Sequence, residues 1–237
     1  MFIKTFLAAG FALVAAQAHA LTLTHAWELN GSTADTLGGP AMVLDDPTGL
    51  GAAGYAFDVF EGASVSGTGI GATYSMELRF SFADIAGYAK IIDFKDYAID
   101  DGLYNVSSRV EFYRNTAPYE VTGAPGAFAA ATSVHLVLTR DGGTGDVAIY
   151  ADGALAISFN DASALAVFDA PGGVIRLMRD DGNPNESSAG FLDYVRTYSD
   201  VATAADALAL ANAAASTPVP VPASLPLLAG AIGGLAF

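Results

Sequence analysis

Cysteine is absent from all 237 residues, which excludes a disulfide framework, a thiolate nucleophile and cysteine-ligated zinc together. Stability must come from burial of apolar side chains, with a bound cation as the other available source. Positive charge is scarce: 10 Lys and Arg stand against 25 Asp and Glu, a formal net charge of −15. A surface of that sign repels nucleic acid, anionic headgroups and polyanionic polymers, and leaves neutral glycans, polycations and calcium as partners. Catalytic signatures are missing too. Neither His-Glu-x-x-His nor Gly-x-Ser-x-Gly occurs, and there is no Glu-x-Asp-x-Glu triplet, which would set three carboxylates on one strand face for glycoside hydrolysis. The chain therefore reads as a non-enzyme.

What is present begins with "MFIKTFLAAGFALVAAQAHA": one early cation at Lys4, an apolar run from Phe6 to Ala16, and Ala18-His19-Ala20 in the small-x-small pattern of signal-peptidase cleavage. Residues 1–20 are read as a signal peptide, with an exported mature chain starting near Leu21. From there to about Tyr198, short β-rich runs alternate with Gly, Asp, Asn and Pro clusters. "YSMELRFSF" puts Met76, Leu78, Phe80 and Phe82 on one face and Ser75, Glu77, Arg79 and Ser81 on the other, as in a half-buried strand. The fold class predicted is all-β, a two-sheet antiparallel sandwich. Residues 199–215 change to Ala and Leu with an Asp or Ser available as N-cap, predicting one short helix. Prolines then alternate through "STPVPVP", a stiff linker assigned to 213–222, before an apolar tail over 223–237. Its uninterrupted stretch, Leu225 to Phe237, is thirteen residues against the roughly twenty that a membrane span needs.

"GLGAAG", Gly49 to Gly54, fits the Gly-x-Gly-x-x-Gly nucleotide fingerprint, but strand-like sequence follows it rather than a helix, so it is read as an interstrand loop. The richest acidic constellation is "MRDDGNPNESSAGFLD". Its Asp180, Asp181, Asn183 and Glu186, with Asn185, offer the hard oxygens that calcium takes, and a solvated hairpin turn is the other reading. "DYAIDDGLYN" is a second acidic loop, with Asp96, Asp100, Asp101 and Asn105. Trp27 is assigned to packing, and His25 and His135, both inside strand patterns, to structural hydrogen bonding. Tyr88, Tyr97, Tyr104, Tyr113 and Tyr119 are candidate platforms for the apolar face of a sugar ring. A hydrolase would need two carboxyls across a cleft, for which Glu111 and Asp93 on neighbouring strands are the candidates.

Three stretches together resemble the laminin-G-like, concanavalin A-type jelly-roll proteins. "SVHLVLTRDGGTGDVAIYADGALAISFND" carries the Tyr-x-Asp-Gly block at Tyr150, Asp152 and Gly153. "GFLDYVRTY" supplies Gly190, Asp193, Val195 and Tyr198 ahead of the short helix, and "HAWELNGS" with "YAFD" resembles the opening. The resemblance spans 21–212 and implies a jelly roll that binds glycan or another extracellular polymer. "VPVPASLPLLAG", Val219 to Gly230, is similar to the box of PEP-CTERM sorting tails of the VPLPA kind, with Val221 in place of the usual Leu and no basic cluster before Phe237. That similarity implies exosortase as a processing partner and delivery to the cell surface or extracellular matrix. The reading is an exported, non-catalytic binding module, calcium-assisted in one version. A polysaccharide hydrolase or lyase and a purely structural coat protein are the alternatives.

Overall fold

Fifteen strands and one α-helix are defined in a computed structural model that describes residues 20–168, 173–180, 182 and 186–216. They form two antiparallel sheets packed face to face. The larger sheet runs β13 (Ala154–Asn160), β12 (Asp146–Ala151), β11 (Val134–Arg140), β6 (Tyr74–Phe82), β15 (Gly190–Tyr198), β4 (Gly54–Phe57), β3 (Leu50–Gly51), with β1 (Leu23–Trp27) also on β15. The second runs β10 (Glu120–Thr122), β9 (Arg109–Tyr113), β8 (Gly102–Val106), β7 (Tyr88–Asp93), β14 (Ile175–Leu177), β5 (Ala63–Val65), β2 (Val43–Leu44). Strands β1 and β15, far apart in sequence, thus meet, and crossovers such as β11–β6, β6–β15 and β7–β14 between runs of consecutive strands give the jelly-roll topology. The segments read as a signal peptide and a sorting tail lie outside the described residues apart from Ala20.

Alternation supplies the core as expected: Met76, Leu78, Phe80 and Phe82 of β6 meet Leu136, Leu138, Ile149 and Val195 of their own sheet and Ile92, Leu103 and Phe112 of the other. Trp27 is fully buried, and its indole N–H donates to the Pro40 carbonyl at 2.8 Å. "GLGAAG" is a hairpin: β3 and β4 are joined by the two-residue turn Ala52–Ala53. Gly54 has φ +142 and packs so closely against Phe191 that a side chain would collide with it, which explains glycine there without any nucleotide.

Two sequence expectations change. The polar face of β6 is not solvated: Ser75 and Glu77 are 0% and 1% exposed, because the chain after β15 folds back across this sheet. Ala202 N–H donates to Ser75 Oγ, and Val137, Tyr150, Ala202 and Ala207 form a second small core there. The helix α1 spans Ala204–Ser216 and starts later than expected, since Thr203 rather than an Asp or Ser caps it. Asp206 N–H donates to Thr203 Oγ1 at 3.2 Å while the Asp206 carboxylate accepts from Thr203 N–H at 2.8 Å, a reciprocal cap. No helix among the described residues is long and apolar enough to cross a membrane.

Leu138, fully buried at the centre of β11 and opposite Met76 and Ile149, reports on the core. Leu138→Ala is expected to lower unfolding stability by about 2–5 kcal/mol, read as a lower urea midpoint at an unchanged m-value.

Candidate functional site

The outer surface of the second sheet carries the densest chemistry. In β7 the register shifts between Lys90 and Ile92, so Tyr88, Lys90 and Asp93 face outward opposite Val106, Tyr104 and Gly102, while Ala89 and Ile92 enter the core. Lys90 is 1% exposed, an ammonium buried on a sheet surface. Its Nζ lies 2.9 Å from Asp93 Oδ2, 2.9 Å from Asp100 Oδ1 and 2.6 Å from Asp180 Oδ1. Burial opposes the charge, but Asp93 and Asp180 outweigh it and hold the ammonium above the ordinary lysine range. The Tyr104 ring packs 5.0 Å from Nζ, and its hydroxyl donates to Asp100 Oδ1.

Carboxylate oxygens of Asp100, Asp180 and Glu186 lie within 4.8 Å of one another. Glu186 is pushed up to about 7, first by burial, then by its hydrogen bond with Asp180 and the negative charges of Asp180 and Asp100. Of the predicted calcium ligands, Asp180 and Glu186 are therefore together, and Asp100 of the second acidic loop joins them; Asp181 and Asn183 lie outside the described residues. The rest of the second loop goes elsewhere. Asp96 pairs with Arg176, Asp101 accepts Asn115 N–H, and Asn105 ties Ile85 O and Ser108 N into its own turn. Asp100, Asp180 and Glu186 are the hard-oxygen set that could hold calcium, although Lys90 already brings a positive charge among them.

Tyrosines extend the face on the other side of Lys90. Tyr88, Tyr104 and Tyr113 make a row of edge-to-face contacts with centroids 6.3 Å apart at each step. Tyr88 is 45% exposed, and Tyr119, on the connection from β9 to β10, is 55% exposed. Glu111 stands beside Tyr104 in the register, its Oε2 accepting from Thr122 Oγ1 at 2.8 Å, and burial raises its pKa. Tyr97 leaves the row to pack against the Arg176 and Arg179 guanidiniums at 4.4 and 6.0 Å.

Such a surface can stack sugar C–H faces and accept hydroxyl protons. A spaced acid–base pair is harder to find in it. Hydrolases place their carboxyls about 5–5.5 or 6.5–9.5 Å apart with room for the bond between them. Here Asp100 and Asp180 instead share one ammonium, and Asp93 also receives the Lys95 and Tyr97 backbone N–H groups at 2.9 and 3.2 Å. Sequence reasoning missed Lys90, whose one signal is a lysine opening the apolar run "KIIDF" with Asp three residues on. It also missed the Glu77 hub of the other sheet. There the carboxylate meets His135 Nε2 at 2.9 Å and accepts the Tyr194 and Tyr198 hydroxyls at 2.8 and 2.6 Å. His25 and His135 are both structural partners of carboxylates, His25 Nδ1 meeting Asp35 Oδ2 at 2.6 Å.

Residues 60–207 match the Laminin_G_3 family model, described as the concanavalin A-like lectin/glucanases superfamily. No curated protein matches the chain. Among solved structures, domain 4 of AbnA, an extracellular GH43 arabinanase of Geobacillus stearothermophilus in complex with arabinotriose, superposes with a TM-score of 0.60 at 17% identity, over 81% of this chain and 100% of that one. The CBM40 of a Ruminococcus gnavus IT-sialidase bound to α2,3-sialyllactose gives 0.52 at 17% identity, over 67% of this chain and 96% of that one. Trypanosoma rangeli sialidase gives 0.62 at 14% identity over 82% of this chain, which spans 33% of that enzyme. Both binding domains and enzymes thus share the fold.

Glu186 sets a pH signature. Its ordinary value is 4.5 and its folded value about 7, so between them the folded chain keeps a proton that the unfolded chain has released. Stability should therefore fall as pH rises from 4.5 to about 7 and change no further from this group above that. Urea midpoints across that window are expected to decline in the parent chain and to decline less in Glu186→Gln; equal slopes would place the titration elsewhere.

Proposed function

We propose that this chain, which belongs to the concanavalin A-like lectin and glucanase superfamily, is an exported glycan-binding module that holds its ligand without transforming it. The observation that carries the reading is the tyrosine row beside hydrogen-bonding carboxylates, in which the exposed Tyr88 and the half-buried Tyr113 flank the buried Tyr104. An exposed ring offers a pyranose an apolar platform, and the carboxylates beside it accept hydroxyl protons. Arabinotriose and sialyllactose in two structures of the same fold support carbohydrate as the ligand class. The fold alone would not, since it carries several activities.

Export rests on the signal pattern of residues 1–20, and surface or matrix delivery with exosortase processing on the box at Val219 to Gly230. Binding of this kind is shallow and gains strength from repeated sugar units. Hydrolysis has one observation in its favour, the Glu186 carboxyl held at about 7 next to Asp100. It is the weaker reading because Asp100 and Asp180 are committed to Lys90. Release of reducing ends from a bound glycan, lost in Glu186→Gln, would replace the binding reading with the hydrolase.

A glycan array probed with the full chain is expected to give carbohydrate signals, and Tyr88→Ala or Tyr113→Ala to weaken the best of them roughly fivefold to tenfold by loss of ring stacking. Tyr88→Ala should leave the melting temperature nearly unchanged, since that ring is 45% exposed. Silence on all glycans would sink the proposal and favour a structural coat protein. For calcium the measurement is the melting temperature in millimolar calcium. A rise that Glu186→Gln removes is expected from Asp100, Asp180 and Glu186 as ligands, and no rise takes calcium out of the reading.

A further inference from the structure

The opposite side of the molecule holds a cavity that the tyrosine face does not explain. It lies on the outer surface of the larger sheet, between β6 and β15 below and α1 above, and one end is closed by the Ala52–Ala53 turn. Its volume is about 250 Å³, below the roughly 300–1,000 Å³ of drug-sized sites, so it suits a single ring.

Charge decides what that ring can be. Three carboxylates, Glu28, Glu77 and Asp193, face two guanidiniums, Arg79 and Arg196. Arg196 grips Glu28 with two hydrogen bonds of 2.8 and 2.9 Å while stacking 4.1 Å over the Tyr194 ring. Arg79 Nη1 donates to the Ala214 carbonyl at 2.8 Å, which pins the end of α1 over the cavity. Both guanidiniums are thus engaged, and an incoming anion would meet the carboxylates without finding a cation to bind. Glu77 is also engaged, by His135 and two tyrosine hydroxyls.

Asp193 is different. It is the residue skipped where the β15–β6 register shifts between Leu192 and Tyr194, and the shift turns it to the cavity. Its nearest cation is Arg79 Nε at 3.6 Å, too long for a hydrogen bond, and no donor among the described residues meets its oxygens. Burial raises its pKa against the opposing charges of Arg79 and Arg196, with the charge of Glu28 adding to the rise. A half-buried carboxylate of this kind in a lining of net negative charge calls for a ligand that brings both hydrogen-bond donors and a positive charge. Ala53 and Leu210 offer apolar surface for the rest of it.

We propose that this cavity is a second binding site, which takes an amino sugar with its primary ammonium on Asp193 and its ring against Ala53 and Leu210. The site is separate from the tyrosine face and does not depend on it. The test is calorimetric titration of the full chain with glucosamine at neutral pH, against glucose and N-acetylglucosamine as uncharged controls. Glucosamine is expected to bind at least tenfold tighter than either control. Asp193→Asn should abolish that preference. Ala53→Phe, in the β3–β4 turn, should fill the cavity without altering any charge and remove glucosamine binding even if the bulge fails to tolerate Asn. Tyr88→Ala should leave it intact. Equal binding of glucosamine and glucose, no binding by the folded chain, or a preference that survives Ala53→Phe would overturn the proposal. Loss of the preference in Tyr88→Ala alone would move the amine to the tyrosine face, which defeats the second site and leaves the glycan-binding reading standing.

Discussion

A buried ammonium without counter-charge costs several kcal/mol, and Lys90 imposes that constraint on the outer face of the second sheet. Three carboxylates answer it, from three parts of the chain: Asp93 on the same strand, Asp100 from the following loop, and Asp180 from a segment eighty residues further on. Meeting Lys90 brings Asp100 and Asp180 towards one spot, and Met178 N–H donates to Ile91 O at 3.1 Å beside it. The wall of the candidate site is therefore a consequence of satisfying one charge. The same clustering crowds Glu186 against Asp180 and Asp100, which is why its proton is held so tightly.

The larger sheet solves the mirror problem. Glu77 is a buried carboxylate on the face that alternation assigns to water, and burial alone would neutralise it. Hydrogen bonds from His135, Tyr198 and Tyr194, with Arg196 nearby, more than offset burial and keep its pKa lowered. Tyr194 and Tyr198 are two turns of the same alternation on β15, and His135 sits across β6 on β11, so the pairing of β6 with both neighbours is what assembles the hub. Both sheets thus have outer faces partly closed by the protein itself. Among the described residues, the tyrosine row on one side and the Asp193 cavity on the other stay open.

The legible part of this architecture was local. Period-two patterns located most strands, the strand-like sequence after "GLGAAG" marked that stretch as an interstrand loop, and the Ala-Leu run marked α1. The acidic loop at Asp180 and Glu186 stood out because its residue types cluster within a few positions. What resisted reading was register across distance. Nothing in "KIIDF" says that Asp180 will arrive over Lys90, and nothing in "YSMELRFSF" says that Glu77 will be covered by residues after Tyr198. Asp193 is subtler: the alternation of "GFLDYVRTY" is broken by a shift that only pairing with β6 reveals.

Charge pairing also changes the meaning of the net charge. Lys90, Arg140, Arg176, Arg179 and Arg196 each stand against a carboxylate, Arg79 donates to the Ala214 carbonyl at 2.8 Å, and Lys95 is turned to the Ala164 and Val167 carbonyl oxygens at 3.2 and 3.1 Å. Seven of the 10 cations are therefore used inside the fold. A formal charge of −15 spread evenly would leave cationic patches, but these pairs are spent on architecture, and the carboxylates left over dominate the surface. An anionic polymer then finds repulsion with few compensating contacts. Neutral sugars escape that repulsion, and amines are drawn by it, so the long-range field of the protein favours the ligand classes proposed for the tyrosine face and for the Asp193 cavity.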